Sequence, residues 1–190
     1  MRLVILGPPG AGKGTQAKRL ADWLGVPAIS TGDIFRANIA EGTPLGLTAR
    51  EYTDTGRLVP DEVTNAMVED RLLRADCAGG FLLDGYPRNL GQVEALTVML
   101  AQAGTALDVV LELTVDSTEV IARLLRRAQI ENRADDTEDV IRHRQEVYLA
   151  QTAPLTQVYS ERGLLIQVDG LGDIDTVTDR LTSALSAWRG

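Results

Sequence analysis

Short apolar runs alternate along the chain with longer stretches in which apolar positions recur at helical spacing. This alternation predicts an α/β fold of three layers, in which a parallel sheet is covered by helices on both faces. The five predicted strands are Leu3–Leu6, Pro27–Ser30, Phe81–Asp84, Val109–Thr114 and Leu164–Val168. The last four are rich in leucine or β-branched residues, so we expect them to be buried on both sides.

Helices are predicted between these strands. They cover Lys13–Leu24, Asp33–Ala40, Leu45–Thr55, Asp61–Ala75, Leu90–Ala103, Ser117–Ala128, Thr137–Ser160 and Ile174–Trp188. About fifty residues separate the second strand from the third, which is long for a simple crossover. We therefore predict that residues 30–59 form an inserted helical subdomain within a single domain of residues 1–190.

Composition excludes several classes of protein. The net charge of −8 over 190 residues opposes binding to nucleic acid, and aromatic residues, at 4%, are too few for a base-stacking surface. Cys77 is the single cysteine, so neither an internal disulfide nor a multi-cysteine zinc site is expected. With no signal-peptide pattern, no apolar run of membrane-spanning length and no coiled-coil seam, we expect a cytoplasmic monomer without a membrane partner.

The positive charges are unevenly distributed. Lysine occurs only at positions 13 and 18, and every other member of the Lys/Arg set is arginine. Six arginines crowd into one stretch, namely Arg123, Arg126, Arg127, Arg133, Arg142 and Arg144. Because a planar guanidinium can bind two oxygens of one anion, this crowding predicts a site for a highly charged anion.

The segment Gly7–Thr15, GPPGAGKGT, joins the first predicted strand to the first helix. Its glycines allow successive N–H groups to point at one anion, and the helix N-terminus adds partial positive charge. Lys13 can reach the β- and γ-phosphates, so we predict an ATP-using phosphotransferase. Gly14 occupies the position where the common pattern has a Mg²⁺-binding hydroxyl, and Thr15 comes one place later. Whether Thr15 touches Mg²⁺ stays open.

Three further segments narrow this prediction: Ser30–Arg36 (STGDIFR), Phe81–Asn89 (FLLDGYPRN) and Asn132–Asp136 (NRADD). Together with the glycine-rich loop, and over essentially the whole chain, they resemble the adenylate kinase family. The resemblance implies a P-loop kinase fold with a short lid at residues 127–133, where longer members carry an extended and sometimes zinc-binding lid. It also implies Mg²⁺ as the cofactor, no zinc, and ATP, AMP and ADP as substrates.

Two facing nucleotide sites are implied by this resemblance. The ATP site would comprise Gly10, Ala11, Gly12, Lys13, Gly14, Thr15, Arg123, Arg127 and Gly172. The AMP site would comprise Thr31, Arg36, Arg57, Leu58, Val59, Gly85, Tyr86, Pro87, Arg88, Gln92, Arg133 and Arg144. The catalytic set would be Lys13, Arg88, Arg123, Arg127, Arg133 and Arg144. The Gln92 amide suits an adenine edge, and no general base is assigned because a phosphate oxygen is already ionised.

Carboxylates and exposed basic residues have more than one interpretation. Asp84 ends a buried strand beside the loop and is predicted to hold Mg²⁺ through water. Asp33 is a lesser candidate for the same role and can equally be a helix cap. Arg126, Arg142 and His143 are interpreted as surface positions on helices.

Two rival functions stay open from the sequence. A UMP/CMP kinase would share the fold, and Thr31 and Gln92 favour adenine over its substrates. A slow ATP-hydrolysing switch would need one nucleotide site, whereas the two sets of arginines indicate two.

Overall fold

The computed structural model describes residues 1–116, 120 and 137–189 of the chain. In this part of the chain five strands form one parallel sheet: β1 (Arg2–Leu6), β2 (Ala28–Ser30), β3 (Phe81–Asp84), β4 (Val109–Thr114) and β5 (Leu165–Asp169). Their spatial order is β2-β3-β1-β4-β5, so the first strand of the chain lies at the centre. The predicted parallel five-stranded sheet is confirmed.

Parallel pairing aligns the carboxyl ends of β1, β2 and β3. Ile5 of β1 and Ser30 of β2 are both in register with Asp84, the last residue of β3. The loops that follow these three strands therefore leave the sheet side by side. The chain winds in opposite directions on the two sides of β1. Open parallel sheets bind ligands at the carboxyl edge where the winding reverses.

Burial differs between the central strands and the edge strands. Leu3 and Val4 of β1 are fully buried, whereas Ala28 of β2 and both Gln167 and Asp169 of β5 are exposed. The expectation that the second and fifth strands are buried on both sides was therefore wrong. These strands form the two edges of the sheet, where the helices that cover the centre do not shield every residue.

Helices cover both faces of the sheet. They are α1 (Lys13–Leu24), α2 (Thr31–Glu41), α3 (Pro44–Thr53), α4 (Asp61–Leu72), α5 (Leu90–Gln102), α6 (Glu138–Val147), α7 (Leu155–Glu161) and α8 (Ile174–Arg189), with a 3₁₀ turn at Ala75–Cys77. Successive residues of β1 point to opposite cores. Leu3 and Ile5 pack with α1 and α8, whereas Val4 and Leu6 pack with α4, α5 and α7. This confirms the three-layer architecture, and none of the described helices is long and apolar enough to cross a membrane.

The segment predicted as one helix, Thr137–Ser160, is divided in the structure. A π-helical turn covers Tyr148–Thr152, and α7 begins directly after Pro154. Proline has no N–H group and its ring collides with the preceding turn, so a continuous α-helix is interrupted here. The prediction of a single helix was wrong in this respect. The predicted helix Ser117–Ala128 lies outside the described residues except for Val120, which is buried.

Helices α2 and α3 have a small core of their own. Phe35, Ala49 and Val59 are buried together, apart from the two cores on the sheet. Thr43 begins α3 as its cap, because its hydroxyl accepts a hydrogen bond of 3.0 Å from the Gly46 N–H. A separate core is what an inserted subdomain requires, although its boundaries at residues 30–59 stay a prediction.

Gly46 allows α2 and α3 to approach each other, and replacing it tests that packing. A Cβ at this position would collide with the backbone carbonyl group of Asn38. We expect Gly46→Ala to lower the free energy of unfolding by about 1–3 kcal/mol, because the collision outweighs a helix-propensity gain of about 1 kcal/mol. Urea denaturation checks the change. Gly79→Ala is the control, since no atom lies within 4 Å of its Cβ position. Equal stability of the two variants would contradict the prediction.

Candidate active site

A large cavity opens at the carboxyl ends of β1, β2 and β3. Its volume is about 1140 Å³, above the roughly 300–1,000 Å³ of ordinary small-molecule sites. The cavity walls include the loop after β1, residues Ser30–Asp33 from the end of β2, and Asp84, Gly85, Pro87 and Arg88 from the end of β3. Helix α6 adds Arg144 and Val147. The cavity therefore has room for more than one nucleotide-sized ligand.

The loop before α1 has the backbone geometry of an anion cradle. Gly10 and Gly12 have φ angles of 89° and 88°, a region that residues with a Cβ rarely adopt. Helix α1 begins after Gly12 with no side-chain cap and no acidic residue in its first turn. By contrast, side-chain oxygens cap α2, α3, α5 and α6. The N-terminus of α1 thus lacks the side chain that would compete with a bound anion.

Lys13 lies over this loop. Its Nζ donates hydrogen bonds to the carbonyl oxygens of Gly7 at 2.7 Å and Pro8 at 2.9 Å. From the opposite direction, the Gln145 amide nitrogen of α6 donates to the Pro9 carbonyl at 3.1 Å. The loop is anchored at three successive carbonyls, and the ammonium charge adds to that of the helix N-terminus.

A second group of positive charges in the cavity consists of Arg36, Arg88 and Arg144. Burial lowers the pKa of the Arg88 guanidinium below its ordinary value, and the neighbouring Asp84 carboxylate opposes this effect. The charges of Arg144 and Arg36 lower the same pKa further. Like charges this close repel one another, and a phosphate bound between them would relieve the repulsion.

Hydrogen bonds hold both the backbone and the side-chain Nε of Arg88 in place. The Arg88 N–H donates to Oε1 of Gln92 at 2.8 Å, and its carbonyl accepts from the Thr152 hydroxyl at 2.7 Å. Nε donates to the Gly85 carbonyl at 2.8 Å, and the Thr31 hydroxyl donates to the same oxygen at 3.0 Å. Bidentate binding of a phosphate uses the terminal guanidinium nitrogens, which this arrangement orients.

Gly85 is required between these two side chains. Its φ angle is 81°, and a Cβ there would lie 2.8 Å from the Thr31 hydroxyl and 3.1 Å from a terminal nitrogen of Arg88. Any larger residue would displace one of the two groups. The glycine therefore brings the hydroxyl and the guanidinium to the same wall of the cavity.

Gln92 lines the cavity although only 2% of its surface is exposed. Its amide nitrogen donates to Asp61 at 2.7 Å, and its amide oxygen accepts from the Arg88 N–H at 2.8 Å. Each of these amide atoms can make a second hydrogen bond. The predicted pairing of Gln92 with an adenine edge would use those second positions, and it stays a prediction.

Three aspartates, Asp33, Asp54 and Asp84, line the same cavity, and two of them lie beside the phosphate loop or at the start of α2. Asp84 lies beside Gly14, where a Cβ would be 3.5 Å from Oδ2 of the carboxylate. The Asp33 carboxylate forms an ion pair with Arg36. The backbone N–H of Asp33 donates a hydrogen bond of 3.3 Å to the Ser30 hydroxyl, which caps the N-terminus of α2. Within the described residues no group of three or more His, Cys, Asp or Glu side chains could hold a metal. The oxygen atoms of Asp84 and Asp33 would suit a hydrated Mg²⁺ ion, because this cation prefers oxygen ligands and usually keeps several waters.

Comparison with known proteins agrees with this geometry. The family model described as adenylate kinase matches residues 5–164. The chain is 61% identical over 185 residues to an adenylate kinase of a Nocardioides species, which covers 97% of each chain. It is 62% identical over 184 residues to that of Kocuria rhizophila, covering 97% of this chain and 98% of the relative. The adenylate kinase of Thermobifida fusca is 60% identical over 187 residues, covering 98% and 99%.

The chain belongs to the adenylate kinase family. This confirms the family resemblance and the phosphotransferase class that the sequence predicts. It does not favour the UMP/CMP kinase alternative, because relatives with 54% to 62% identity carry the name adenylate kinase.

The adenylate kinase fold gathers most of the predicted site residues around the cavity. These are Gly10, Gly12, Lys13, Gly14, Thr15, Thr31, Asp33, Arg36, Arg57, Leu58, Val59, Asp84, Gly85, Pro87, Arg88, Gln92 and Arg144. Ala11 instead packs in the sheet core, and Gly172 lies in the turn between β5 and α8. Tyr86 is fully buried and its hydroxyl donates to Asn65 at 2.7 Å, so only its backbone can approach a nucleotide. Arg123, Arg126, Arg127 and Arg133, with the lid at 127–133, lie outside the described residues.

The surface interpretations agree with the structure for Arg142 and partly for His143. Arg142 pairs with Glu138 at 2.8 Å, and its side chain is 64% exposed. The His143 side chain is half-exposed and lies near Glu146. Arg57 lies on the cavity wall with its guanidinium over the Tyr52 ring.

The sequence did not predict the residues that hydrogen-bond to the groups lining the adenylate kinase site and so fix their positions. Gln145 and Thr152 fix carbonyls of the loop and of Arg88, and Asp61 contacts Gln92. Asp61 was recognisable only as an acidic residue at a helix start. The other two give no local signal beyond being polar residues in an otherwise helical pattern.

Proposed function

We propose that this chain catalyses the reversible, Mg²⁺-dependent transfer of a phosphoryl group from ATP to AMP, which forms two ADP. One observation carries the proposal: two basic anion sites share one cavity. The first is the Gly7–Thr15 loop with Lys13, and the second is formed by Arg36, Arg88 and Arg144. An enzyme that passes a phosphoryl group to a phosphate acceptor needs both, whereas a nucleotide switch needs only the first.

The chain's residues position the reactants and stabilise charge. The loop and Lys13 would bind the β- and γ-phosphates of ATP, and Arg88 would bind the α-phosphate of AMP in line with them. Arg144 would add charge near the equatorial oxygens, where it develops during transfer. Arg123, Arg127 and Arg133 are proposed to do the same. A base is unnecessary because the attacking phosphate oxygen is already ionised.

The cofactor is proposed from the same donor set. When bound, Mg²⁺ would neutralise part of the charge on the ATP phosphates. Asp84, and to a lesser extent Asp33, would hold water molecules of its hydration shell. Thr15 stays open as a direct ligand.

Closure of the cavity supports a transfer reaction over hydrolysis. The segment after α3 packs against α6: a Cβ at Gly56 would lie 3.2 Å from the Val140 carbonyl and 3.3 Å from Cγ of Arg144. The proposed subdomain of residues 30–59 thereby reaches the helix that carries Arg144. Such a contact restricts water, which would otherwise compete with AMP for the γ-phosphate.

Incubation of the purified protein with ATP–Mg²⁺ and each of AMP, UMP, CMP and GMP tests the function. We expect ADP formation that depends on AMP and is fastest with it. ADP formation without any acceptor would indicate the switch, and a preference for UMP or CMP would overturn only the adenine assignment. The buried Cys77, which forms no disulfide, fits the proposed cytoplasmic location, and the proposed monomer can be checked by light scattering.

Gln92→Leu tests the proposed place of the acceptor base. We expect kcat/KM for AMP to fall by about 10- to 100-fold, because a polar group that the base needs is lost. The KM for ATP should change little, since the amide faces only the acceptor. Initial rates at varied AMP, CMP and ATP check both statements. The exposed Gln157, whose amide pairs with Glu161, provides the control variant Gln157→Leu. Unchanged discrimination between AMP and CMP would remove Gln92 from the base site.

A further inference from the structure

A carboxylate lies directly behind the proposed base-contacting residue. Oδ1 of Asp61 accepts hydrogen bonds from the Gln92 amide nitrogen at 2.7 Å and from the Asn89 amide nitrogen at 3.0 Å. Oδ2 accepts from the same Asn89 nitrogen at 3.1 Å. Asn89 in turn caps α5, because its side-chain oxygen accepts from the Gln92 N–H at 2.9 Å. Asp61 belongs to α4 and is not among the residues that line the cavity.

The two partners of the Gln92 amide impose a single orientation on it. The Asp61 carboxylate only accepts hydrogen bonds, so it faces the NH₂ group of the amide. The Arg88 backbone N–H only donates, so it faces the amide oxygen. A rotation of the amide by half a turn would set oxygen against carboxylate and N–H against N–H. Both contacts would then be unfavourable at once.

This fixed amide presents a defined pattern to the cavity. Oε1 has its second lone pair and Nε2 its second hydrogen for a ligand. Adenine matches this pattern with a donor at its 6-amino group beside a ring-nitrogen acceptor. A 6-oxo purine carries an acceptor at position 6 instead and would oppose Oε1. To bind it, Gln92 would have to rotate against both of its partners.

We infer that Asp61 is a positioning residue that makes the acceptor site select 6-amino over 6-oxo purines by locking the Gln92 amide. The inference rests on the proposed function, because it takes Gln92 as the contact to the acceptor base. Asp61 acts through Gln92 and touches no substrate. Its hydrogen bonds connect the start of α4 to the start of α5. Helix α4 would therefore contribute to the choice of acceptor base although it does not contact that base.

A purely structural role for Asp61 predicts a different result. An acidic residue in the first turn of α4 stabilises that helix through its dipole, and the bonds to Asn89 support the cap of α5. Loss of these contacts would lower thermal stability and depress the rate with every acceptor alike. The ratio of kcat/KM for AMP to that for inosine monophosphate (IMP) would stay constant. This ratio therefore separates positioning from structural support.

The experiment compares AMP with IMP for Asp61→Asn in the full-length protein. The asparagine side chain has the same shape but can turn its NH₂ group toward Gln92, so the Asp61 contact no longer fixes the amide and only the Arg88 N–H still opposes its rotation. We expect the AMP:IMP ratio to fall about tenfold or more, with the KM for ATP unchanged. Glu62→Gln removes a charge from the same helix turn at an exposed position and should leave the ratio at the wild-type value. Asp61→Ser provides a second variant if the first is poorly folded, and the same direction is expected.

A double-mutant cycle completes the test. Because Asp61 acts only through Gln92, Asp61→Asn should not change the AMP:IMP ratio further in a Gln92→Leu background. An Asp61→Asn ratio within twofold of wild type would overturn the inference while leaving the proposed function intact. Failure of the wild-type protein to form ADP from ATP and AMP would instead overturn the proposed function, so the two failures are distinguishable.

Discussion

Replacing Lys13 with methionine is expected to reduce the kcat of ADP formation by about 10²- to 10³-fold, the loss typical of removing one preorganised charge from a transition state. The physical reason lies in the placement of its ammonium group. Nζ is held by the carbonyls of Gly7 and Pro8, directly at the uncapped N-terminus of α1. Lys18 is the only other lysine in the chain, and it lies on the cavity wall five residues further along α1, away from the loop carbonyls that hold Nζ of Lys13. Steady-state rates with saturating ATP–Mg²⁺ and AMP measure the effect.

The fold should survive this substitution. Pro8 is only partly buried, so water can satisfy its carbonyl when the ammonium group is removed, and the buried Gly7 carbonyl loses one hydrogen bond. We expect Tm to change by no more than a few degrees. Lys18→Met is the matched control, since it removes the same charge from the same helix at an exposed position, and its loss should stay below about tenfold. Activity of Lys13→Met within a few-fold of wild type would remove Lys13 from its assigned role.

The strands and the phosphate loop could be predicted because their signals are local. Apolar runs set the bounds of the strands, and the glycines and lysine of Gly7–Thr15 define one backbone geometry. Strand order is not local. The leucine-rich character of Leu164–Val168 resembles that of a central strand, yet β5 forms an edge. Burial of the strands therefore depended on pairing across the sheet, which no segment encodes by itself.

The candidate site shows the same division. Arg36, Arg88 and Gln92 were predicted for the acceptor site because they lie in segments that resemble a known family. Their partners come from distant parts of the chain: Thr152 is 64 residues from Arg88, and Asp61 is 31 residues from Gln92. Only the packing of α4, α5 and the π-helical turn brings these pairs together. The family motifs thus identify the groups that meet the substrate, and the fold is needed to find the groups that orient them.

Arg88→Met is expected to reduce kcat/KM for AMP strongly without destabilising the protein. The half-buried Arg88 lies in the cavity with Arg36 and Arg144, and desolvation lowers the pKa of its guanidinium below the ordinary value. A lowered pKa means that the charged form is less favourable in the folded chain than in the unfolded chain. At neutral pH the group is charged in both states, so its charge opposes folding. Methionine removes that charge and fills similar space, and the Gly85 carbonyl keeps its bond from Thr31.

Activity and stability should therefore separate in this variant. We expect kcat/KM for AMP to fall by about 10²- to 10³-fold, while Tm without nucleotide stays within a few degrees of wild type or rises. A hundredfold excess of AMP over its Kd stabilises the wild-type protein by about 2.7 kcal/mol through mass action, and this gain should disappear at the same AMP concentration. Thermal denaturation with and without AMP measures both quantities. Arg142→Met, at an exposed position paired with Glu138, should retain the full gain. If Arg88→Met kept the AMP-dependent gain, Arg88 would not be the residue that binds the acceptor phosphate, and its charge beside Arg36 and Arg144 would have no explanation in substrate binding.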